Sequence, residues 1–142
     1  MIQHILVPYD SSEPANRAFE FALELAKLYN ANITIIACVS IHFHVDPVFA
    51  TAELETLKLQ KEEAIRSIFQ LEPKLKKLGI SYKTEVLEGI SITDVLVSYA
   101  ESHNVDLIIM GSRGLGGFKK LLLGSVASGV SQHSKCPVLI VK

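Results

Sequence analysis

The chain has 142 residues and a formal net charge of −1, so it has the size of one domain and a nearly neutral surface. Because basic residues are not in excess, we expect neither a nucleic acid nor an anionic membrane as partner, and an anionic ligand needs a local site. The first residues lack the basic start and cleavage site of a secretory signal, and the apolar runs are too short to cross a bilayer. We therefore expect one cytoplasmic domain spanning residues 1–142.

Five short apolar runs alternate with helical patterns or loops along the chain. Four of them are nearly continuous in Val, Ile and Leu, which is typical of strands buried on both faces of a parallel sheet. The third, within the sequence SYKTEVLE, alternates polar and apolar residues and is predicted to lie at a sheet edge. The predicted strands are Ile2–Tyr9, Ile33–Ser40, Ser81–Leu87, Asp106–Gly111 and Pro137–Val141.

Helical patterns fill the intervals between these runs. The second is predicted over about 52–78, with a break near Pro73 and an end at Gly79, and the third over about 92–103. The fourth is predicted to begin near Gly124 and to stop before Cys136. The first follows a capping sequence with Pro14 in its first turn, and its apolar stripe is predicted to contain Ala18, Phe21, Ala22, Leu25 and Leu28.

This alternation of strands and helices predicts an α/β fold, a doubly wound parallel sheet with right-handed crossovers. In such sheets a ligand binds outside the carboxyl ends of the strands. Asp10 comes directly after the first predicted strand, and the fourth opens at Gly111 into a loop with four glycines, GSRGLGG. If these two strands are neighbours, residues about a hundred positions apart meet in one cleft.

The glycine loop leads within about ten residues to Gly124-Ser125 at a predicted helix start. Glycines let main-chain N–H groups approach a ligand, and a helix N-terminus offers unpaired donors and a positive dipole end to a phosphate. The Ser125 hydroxyl and the Arg113 guanidinium could add contacts to the same anion. Asp10 would suit the opposite end of a nucleotide, where its carboxylate accepts hydrogen bonds from ribose hydroxyls.

Two familiar phosphate-binding motifs do not fit this loop. A Walker loop needs lysine after its last glycine, but Gly116 is followed by Gly117. A Rossmann fingerprint needs a glycine where this chain has Lys119. Plainer explanations stay open, because Asp10 and Ser125 could serve only as helix caps.

Other residues that could carry chemistry give weaker signals. Cys38 and Cys136 are expected to pack as small hydrophobic residues, since their spacing matches neither a disulfide framework nor a zinc site. His42, His44 and Asp46 would point the same way from an extended segment, as metal ligands do. Because nothing completes that ligand set, we predict a variable loop, no metal site and no identifiable catalytic residue.

The spacing of these glycines resembles a family signature. Gly111, two residues, Gly114, nine residues and Gly124-Ser125 resemble the G-2x-G-9x-G-[S/T] motif of universal stress proteins. The opening ILVPYDSSEPANRAFEFALELA, the segment VDLIIMGSRGLGGFKKLLLGSVAS and the ending HSKCPVLIV are also similar to that family. The resemblance covers the whole chain and implies a five-stranded sheet of order 3-2-1-4-5 and the ATP-binding branch of the family.

The resemblance also implies a set of nucleotide contacts and an oligomeric state. It implies a homodimer through the last strand, an unknown protein partner, and a nucleotide-responsive stress module that binds ATP, with Mg²⁺ if it hydrolyses ATP. A slow ATPase, a self-phosphorylating enzyme, and an interaction protein without nucleotide remain as alternatives. The implied contacts are Pro8, Tyr9, Asp10 and Ser11 after strand one, Val39 on strand two, Met110, Gly111, Arg113 and Gly114 after strand four, and Gly124, Ser125 and Val126 at the phosphates.

Overall fold

The computed structural model describes residues 1–43, 45–115 and 122–142. Five parallel strands form one sheet in the order β3-β2-β1-β4-β5, as the resemblance implied. The strands are β1 (His4–Pro8), β2 (Asn32–Ser40), β3 (Tyr82–Gly89), β4 (Leu107–Gly111) and β5 (Val138–Val141). The helices are α1 (Glu13–Tyr29), α2 (Pro47–Phe69), α3 (Glu72–Lys77), α4 (Ile92–Ser102) and α5 (Ser125–His133).

Each face of the sheet is covered by helices, so its central strands are buried on both sides. Side chains such as Ile5, Val7 and Ile35 alternate along β1 and β2 into the core under α1 and α3. Their neighbours, such as Leu6 and Ile36, enter a second core under α4 and α5. Among the described residues, no helix is both long and apolar enough to span a membrane.

Helix α1 begins where the sequence predicts, but its buried face is different. The Ser12 hydroxyl accepts the Ala15 main-chain N–H at 3.2 Å and so caps the helix. Phe21 and Leu28, which the predicted stripe included, are 50% and 72% exposed, so that part of the prediction was wrong. The face that packs on the sheet is instead formed by Ala15, Ala18, Phe19, Ala22, Leu23 and Ala26.

The second predicted helix is two helices, and it begins earlier than predicted. The break falls just before Pro73, which lies in the first turn of α3, and Gly79 follows that helix with a φ of +68°. The Asp46 side chain caps α2 by accepting the Val48 N–H at 2.9 Å. This local role explains Asp46 without a metal, and His44, a suggested ligand partner, lies outside the described residues.

The strand order places the first and fourth strands side by side. Ile5 is opposite Leu107 and Leu6 is opposite Ile108 in the register between β1 and β4. Since both strands run in the same direction, Asp10 after β1 and Gly111 at the end of β4 reach the same edge of the sheet. The segments after β1 and β4 therefore lie at the same edge of the sheet, as the sequence analysis predicted for neighbouring strands.

Candidate functional site

A cavity of about 530 Å³ lies at the carboxyl edge of the sheet, between the ends of β1, β2 and β4 and the start of α5. Its position is where ligands bind in open α/β sheets. Ten of the twelve predicted site residues line it: Pro8, Tyr9, Asp10, Met110, Gly111, Arg113, Gly114, Gly124, Ser125 and Val126.

Ser11 and Val39 were also predicted to contact the ligand, but they are not among the residues that line the cavity. Ser11 is exposed and adopts a φ of +65° in the turn before α1. Val39 is 5% exposed, and the β2 residues on the cavity side are its neighbour Cys38 and Ile36. Because side chains alternate along a strand, the Val39 side chain points to the opposite face of the sheet.

An apolar floor completes the cavity, and sequence analysis missed most of it. Of the apolar residues that line the cavity, Pro8, Met110 and Val126 were predicted. The strand alternation that places Ile36 and Cys38 on one face of β2 was the available signal. Burial raises the pKa of the Cys38 thiol to about 12, so this thiol stays neutral and serves as apolar lining. The unpredicted lining residues are Ala15, Ile36, Cys38, Ile92, Leu96, Leu115 and Ala127.

The Asp10 carboxylate joins the two segments that form the cavity rim. Its Oδ1 accepts the main-chain N–H of Ser12 at 3.0 Å, and its Oδ2 accepts that of Leu115 at 3.1 Å. The first bond closes the turn between β1 and α1. The second crosses to the segment after β4, so the carboxylate contributes to the geometry of the rim.

Tyr9 lines the cavity and also belongs to a hydrophobic core. Its side chain belongs to the core under α1, and its hydroxyl donates a hydrogen bond to Asn16 Oδ1 at 2.6 Å. Burial, and to a smaller extent the charge of Asp10, raises the pKa of the Tyr9 phenol. The phenol therefore remains a neutral donor on the side of the sheet away from the cavity.

Glycines allow the rim segments to approach each other closely. A methyl group at Gly111 would lie 2.8 Å from the main chain of Pro14 and Ala15. At Gly114 it would lie 2.6 Å from Asp10 Oδ2, and at Gly124 it would lie 3.3 Å from the Ser112 carbonyl oxygen. The signature glycines are therefore required by close contacts as well as by any ligand.

The N-terminus of α5 forms the remaining wall. Gly124 occupies the N-cap position, and no side chain caps the first turn of this helix within the described part of the chain. The Gly124 N–H itself donates to the Ser112 carbonyl oxygen at 2.6 Å. The next N–H groups, with the positive end of the helix dipole, make this wall suited to an anion.

Within residues 1–43, 45–115 and 122–142, no group of three or more His, Cys, Asp or Glu side chains could hold a metal ion. Residues 116–121, which include Gly116, Gly117 and Lys119, lie outside the described residues. The described arrangement combines an apolar floor, a carboxylate and an anion-suited helix end. It defines a doubly wound α/β protein with a ligand cavity at the carboxyl edge of its sheet.

The model of the universal stress protein family matches residues 1–142, and this chain belongs to that family. Universal stress protein MJ0531 of Methanocaldococcus jannaschii is 34% identical over 145 residues, which are 100% of this chain and 83% of the relative. The structure of UspA from Lactobacillus plantarum aligns with a TM-score of 0.91 at 29% identity, covering 99% of this chain and 97% of that one. A universal stress protein solved in complex with cAMP aligns with a TM-score of 0.73 at 26% identity, covering 99% and 97%.

Proposed function

We propose that this protein is a cytoplasmic, nucleotide-responsive regulatory module of the stress response that binds ATP in the cavity described above. The observation that carries the proposal is that three kinds of surface converge there: an apolar floor, the Asp10 carboxylate, and the glycine-bordered start of α5. These suit a base, a ribose and a phosphate chain, respectively. The cAMP complex of the related universal stress protein supports a nucleotide as the class of ligand.

ATP would lie with its base on the floor near Met110 and its phosphates toward Ser125. The first-turn N–H groups of α5 and the Ser125 hydroxyl would donate to phosphate oxygens, because no side chain caps that helix end within the described residues. Arg113 lines the same cavity and would add a positive charge near the phosphates. Pro8 and Gly111 would border the nucleotide through their main chains.

Mg²⁺ would enter this site with the nucleotide. The described residues contain no group of three carboxylate, imidazole or thiolate ligands, and Mg²⁺ is commonly held by one or two carboxylates together with substrate phosphates. Asp10 is the one carboxylate among the described lining residues, and two main-chain N–H groups already occupy it. Phosphate oxygens, and not protein side chains, would therefore replace most of the water molecules that the ion loses.

We also propose that the protein acts as a homodimer paired through β5, which would present the nucleotide-dependent surface to a protein partner. The two edges of the sheet differ in a way that supports this. Edge strand β3 carries Lys83 and Glu85, whose side chains form a 2.7 Å ion pair, whereas β5 has the sequence VLIV without a charge. Charges protect an edge from pairing, and an uncharged edge favours pairing with an identical strand across a two-fold axis.

The direct test is titration of the purified protein with ATP by calorimetry, together with mass spectrometry of any nucleotide released on denaturation. ATP at a hundred times its dissociation constant should stabilise the folded state by about 2.7 kcal/mol, visible as a higher melting temperature. Absence of heat and of any melting shift at millimolar ATP would overturn the proposal.

A charge variant separates binding from folding. Ser125→Asp places a carboxylate at the N-terminus of α5, where it stabilises the helix but repels phosphate. We expect ATP affinity to fall by about tenfold or more, the scale of repulsion between charges near a protein surface. Ser131→Asp is the matched control, because it adds the same charge at an exposed position of the same helix and should leave ATP binding unchanged.

A further inference from the structure

The Asp10 side chain connects the two segments at the cavity rim. Asp10 follows β1, and Leu115 belongs to the β4–α5 segment, residues 112–124, of which 112–115 and 122–124 are described. The Asp10 Oδ2 atom accepts the Leu115 N–H at 3.1 Å although the two residues are 105 positions apart. The Oδ1 atom of the same carboxylate is fixed by the Ser12 N–H at 3.0 Å, so the acceptor is oriented by its own turn.

The surroundings of this bond are arranged to permit it. Gly114 passes so close that a methyl group there would lie 2.6 Å from Asp10 Oδ2. The Ser12 hydroxyl, which is buried, also reaches across to the Arg113 carbonyl oxygen, although at 3.5 Å. Two consecutive peptide units of the β4–α5 segment are therefore directed at the turn after β1.

We infer that Asp10 is a positioning residue that fixes the Arg113–Leu115 main chain at the phosphate end of the cavity, in addition to any contact that it makes with a ribose. This inference rests on the proposed function as far as the ligand is concerned. A carboxylate offers about four lone-pair sites, and two of them are used by Ser12 and Leu115. The remaining sites leave room for a sugar hydroxyl, so one side chain links the sugar end of the cavity to its phosphate end.

Tripolyphosphate binding distinguishes a positioning role of Asp10 from a ribose contact alone. Inorganic tripolyphosphate has no sugar and no base, so loss of a ribose contact does not weaken its binding, and loss of the Asp10 charge by itself would favour the polyanion. If Asp10 holds the Arg113–Leu115 main chain in place, loss of its hydrogen bond to Leu115 also weakens the binding of tripolyphosphate. The same loss exposes the Leu115 N–H to solvent even when no ligand is bound.

Asp10→Asn tests this with little change in shape. The substitution replaces one carboxylate oxygen by an NH2 group. Because Ser12 and Leu115 donate to different oxygens of Asp10, one of these two N–H groups loses its acceptor. The matched control is Asp106→Asn, because Asp106 Oδ2 likewise accepts two main-chain N–H groups, those of Gln3 and His4, at the opposite edge of the sheet. Both variants are titrated with ATP and with tripolyphosphate, and amide hydrogen exchange at Leu115 is followed by NMR without ligand.

We expect Asp10→Asn to weaken the binding of both ATP and tripolyphosphate. Amide exchange at Leu115 should become about tenfold faster, which is the scale of one hydrogen bond to a charged group. Asp106→Asn should change none of the three. Unchanged tripolyphosphate affinity together with weakened ATP would overturn the inference and leave Asp10 as a ribose contact only, and unchanged exchange at Leu115 would overturn it as well. If the wild type binds neither ligand, the proposed function fails, while exchange at Leu115 still decides whether Asp10 positions the segment.

Discussion

At the scale of residues, two aspartates do similar work at opposite edges of the sheet. Asp10 accepts two main-chain N–H groups at the carboxyl edge, and Asp106 accepts two at the amino edge, where it fixes the start of β1. In both places the carboxylate accepts main-chain N–H groups at or beyond the end of a strand. Only Asp10 lies at the cavity, so carboxylate–main-chain hydrogen bonds shape the cavity rim at one edge and support the fold at the other.

Asp106 should make the stability of the protein depend on acid. The hydrogen bond from the Gln3 N–H lowers the pKa of Asp106 most; burial opposes it by a smaller amount, and the hydrogen bond from the His4 N–H adds a still smaller lowering, so the pKa lies below its ordinary value. Because the pKa is lower in the folded than in the unfolded chain, the stabilisation is present at neutral pH and is lost as pH falls through the folded pKa. We expect Asp106→Asn to be less stable than the wild type at pH 7 and the difference to shrink below about pH 4 in denaturant titrations.

Two glycines at the cavity rim should respond differently to the same substitution. A methyl group at Gly111 would meet the main chain of Pro14 and Ala15, which cannot move without shifting α1. We expect Gly111→Ala to lower the free energy of unfolding by about 1–3 kcal/mol, the usual cost of overpacking. Gly114→Ala would meet the Asp10 carboxylate, a side chain that can rotate, so it should cost less stability but weaken ATP binding.

Chemical denaturation and calorimetry on both alanine variants measure this difference. A Gly111→Ala protein as stable as the wild type would contradict the packing argument. Equal ATP affinity of Gly114→Ala and wild type would contradict the placement of Asp10 at the ligand.

At the scale of elements, α4 and α5 approach each other through a glycine in the middle of a helix. Gly129 lies on α5 and faces Thr93 of α4, where a methyl group would lie 2.7 Å from Oγ1 and 2.8 Å from Cγ2. Since α4 and α5 both supply residues to the cavity wall, this contact helps to set the width of the cavity. Intrinsic helix propensity favours alanine over glycine by up to about 1 kcal/mol, so a glycine here indicates that packing decides.

We expect Gly129→Ala to destabilise the protein by about 1–3 kcal/mol in spite of its better helix propensity. Both branches of the Thr93 side chain are in the way, so rotation of Thr93 cannot relieve the clash. The double variant Gly129→Ala with Thr93→Ala should recover most of the loss, and a double-mutant cycle from urea unfolding measures the coupling. Additive effects of the two substitutions would show that this contact does not control the packing of α5.

At the scale of the whole molecule, one side of α1 lies beside the end of β5. The Arg17 Nε atom donates to the Lys142 carbonyl oxygen at 2.6 Å, which places this side of α1 beside the end of β5. Phe21 and Leu28 follow Arg17 at positions that share its side of the helix, and both are exposed. Phe21 and Leu28, which the periodicity assigned to the core together with the buried Ala18 and Ala22, are therefore surface residues of α1.

Leu139→Lys tests the proposed dimer, because Leu139 is the β5 side chain with 36% exposure, and a lysine on an edge strand opposes pairing. We expect the wild type to be a dimer by light scattering at micromolar concentration and the variant to be a monomer. Its circular dichroism should stay that of the folded protein. Leu54→Lys on α2, which is 68% exposed, is the control and should remain dimeric, and a monomeric wild type would refute the pairing.

The sequence by itself determined most of the elements and the edge of the sheet at which the cavity lies. The strands were recognisable because buried parallel strands need continuous apolar runs, and the α2–α3 break was recognisable because proline cannot continue a helix. The order of the strands came from the resemblance to universal stress proteins, and the sheet has that order. Asp10 and Gly114 were placed correctly at one edge because parallel strands end together.

Tertiary structure decided which face of each element is buried and which residues line the cavity. Phe21 has the spacing of a core residue, yet the direction in which α1 lies across β1 and β4 leaves it exposed. Ile36 and Cys38 become the cavity floor only because α4 and α5 cover that side of β2 and leave the carboxyl edge open. Periodicity along one element fixes which residues share a face, but the packing of other elements against it decides whether that face meets core, ligand or solvent.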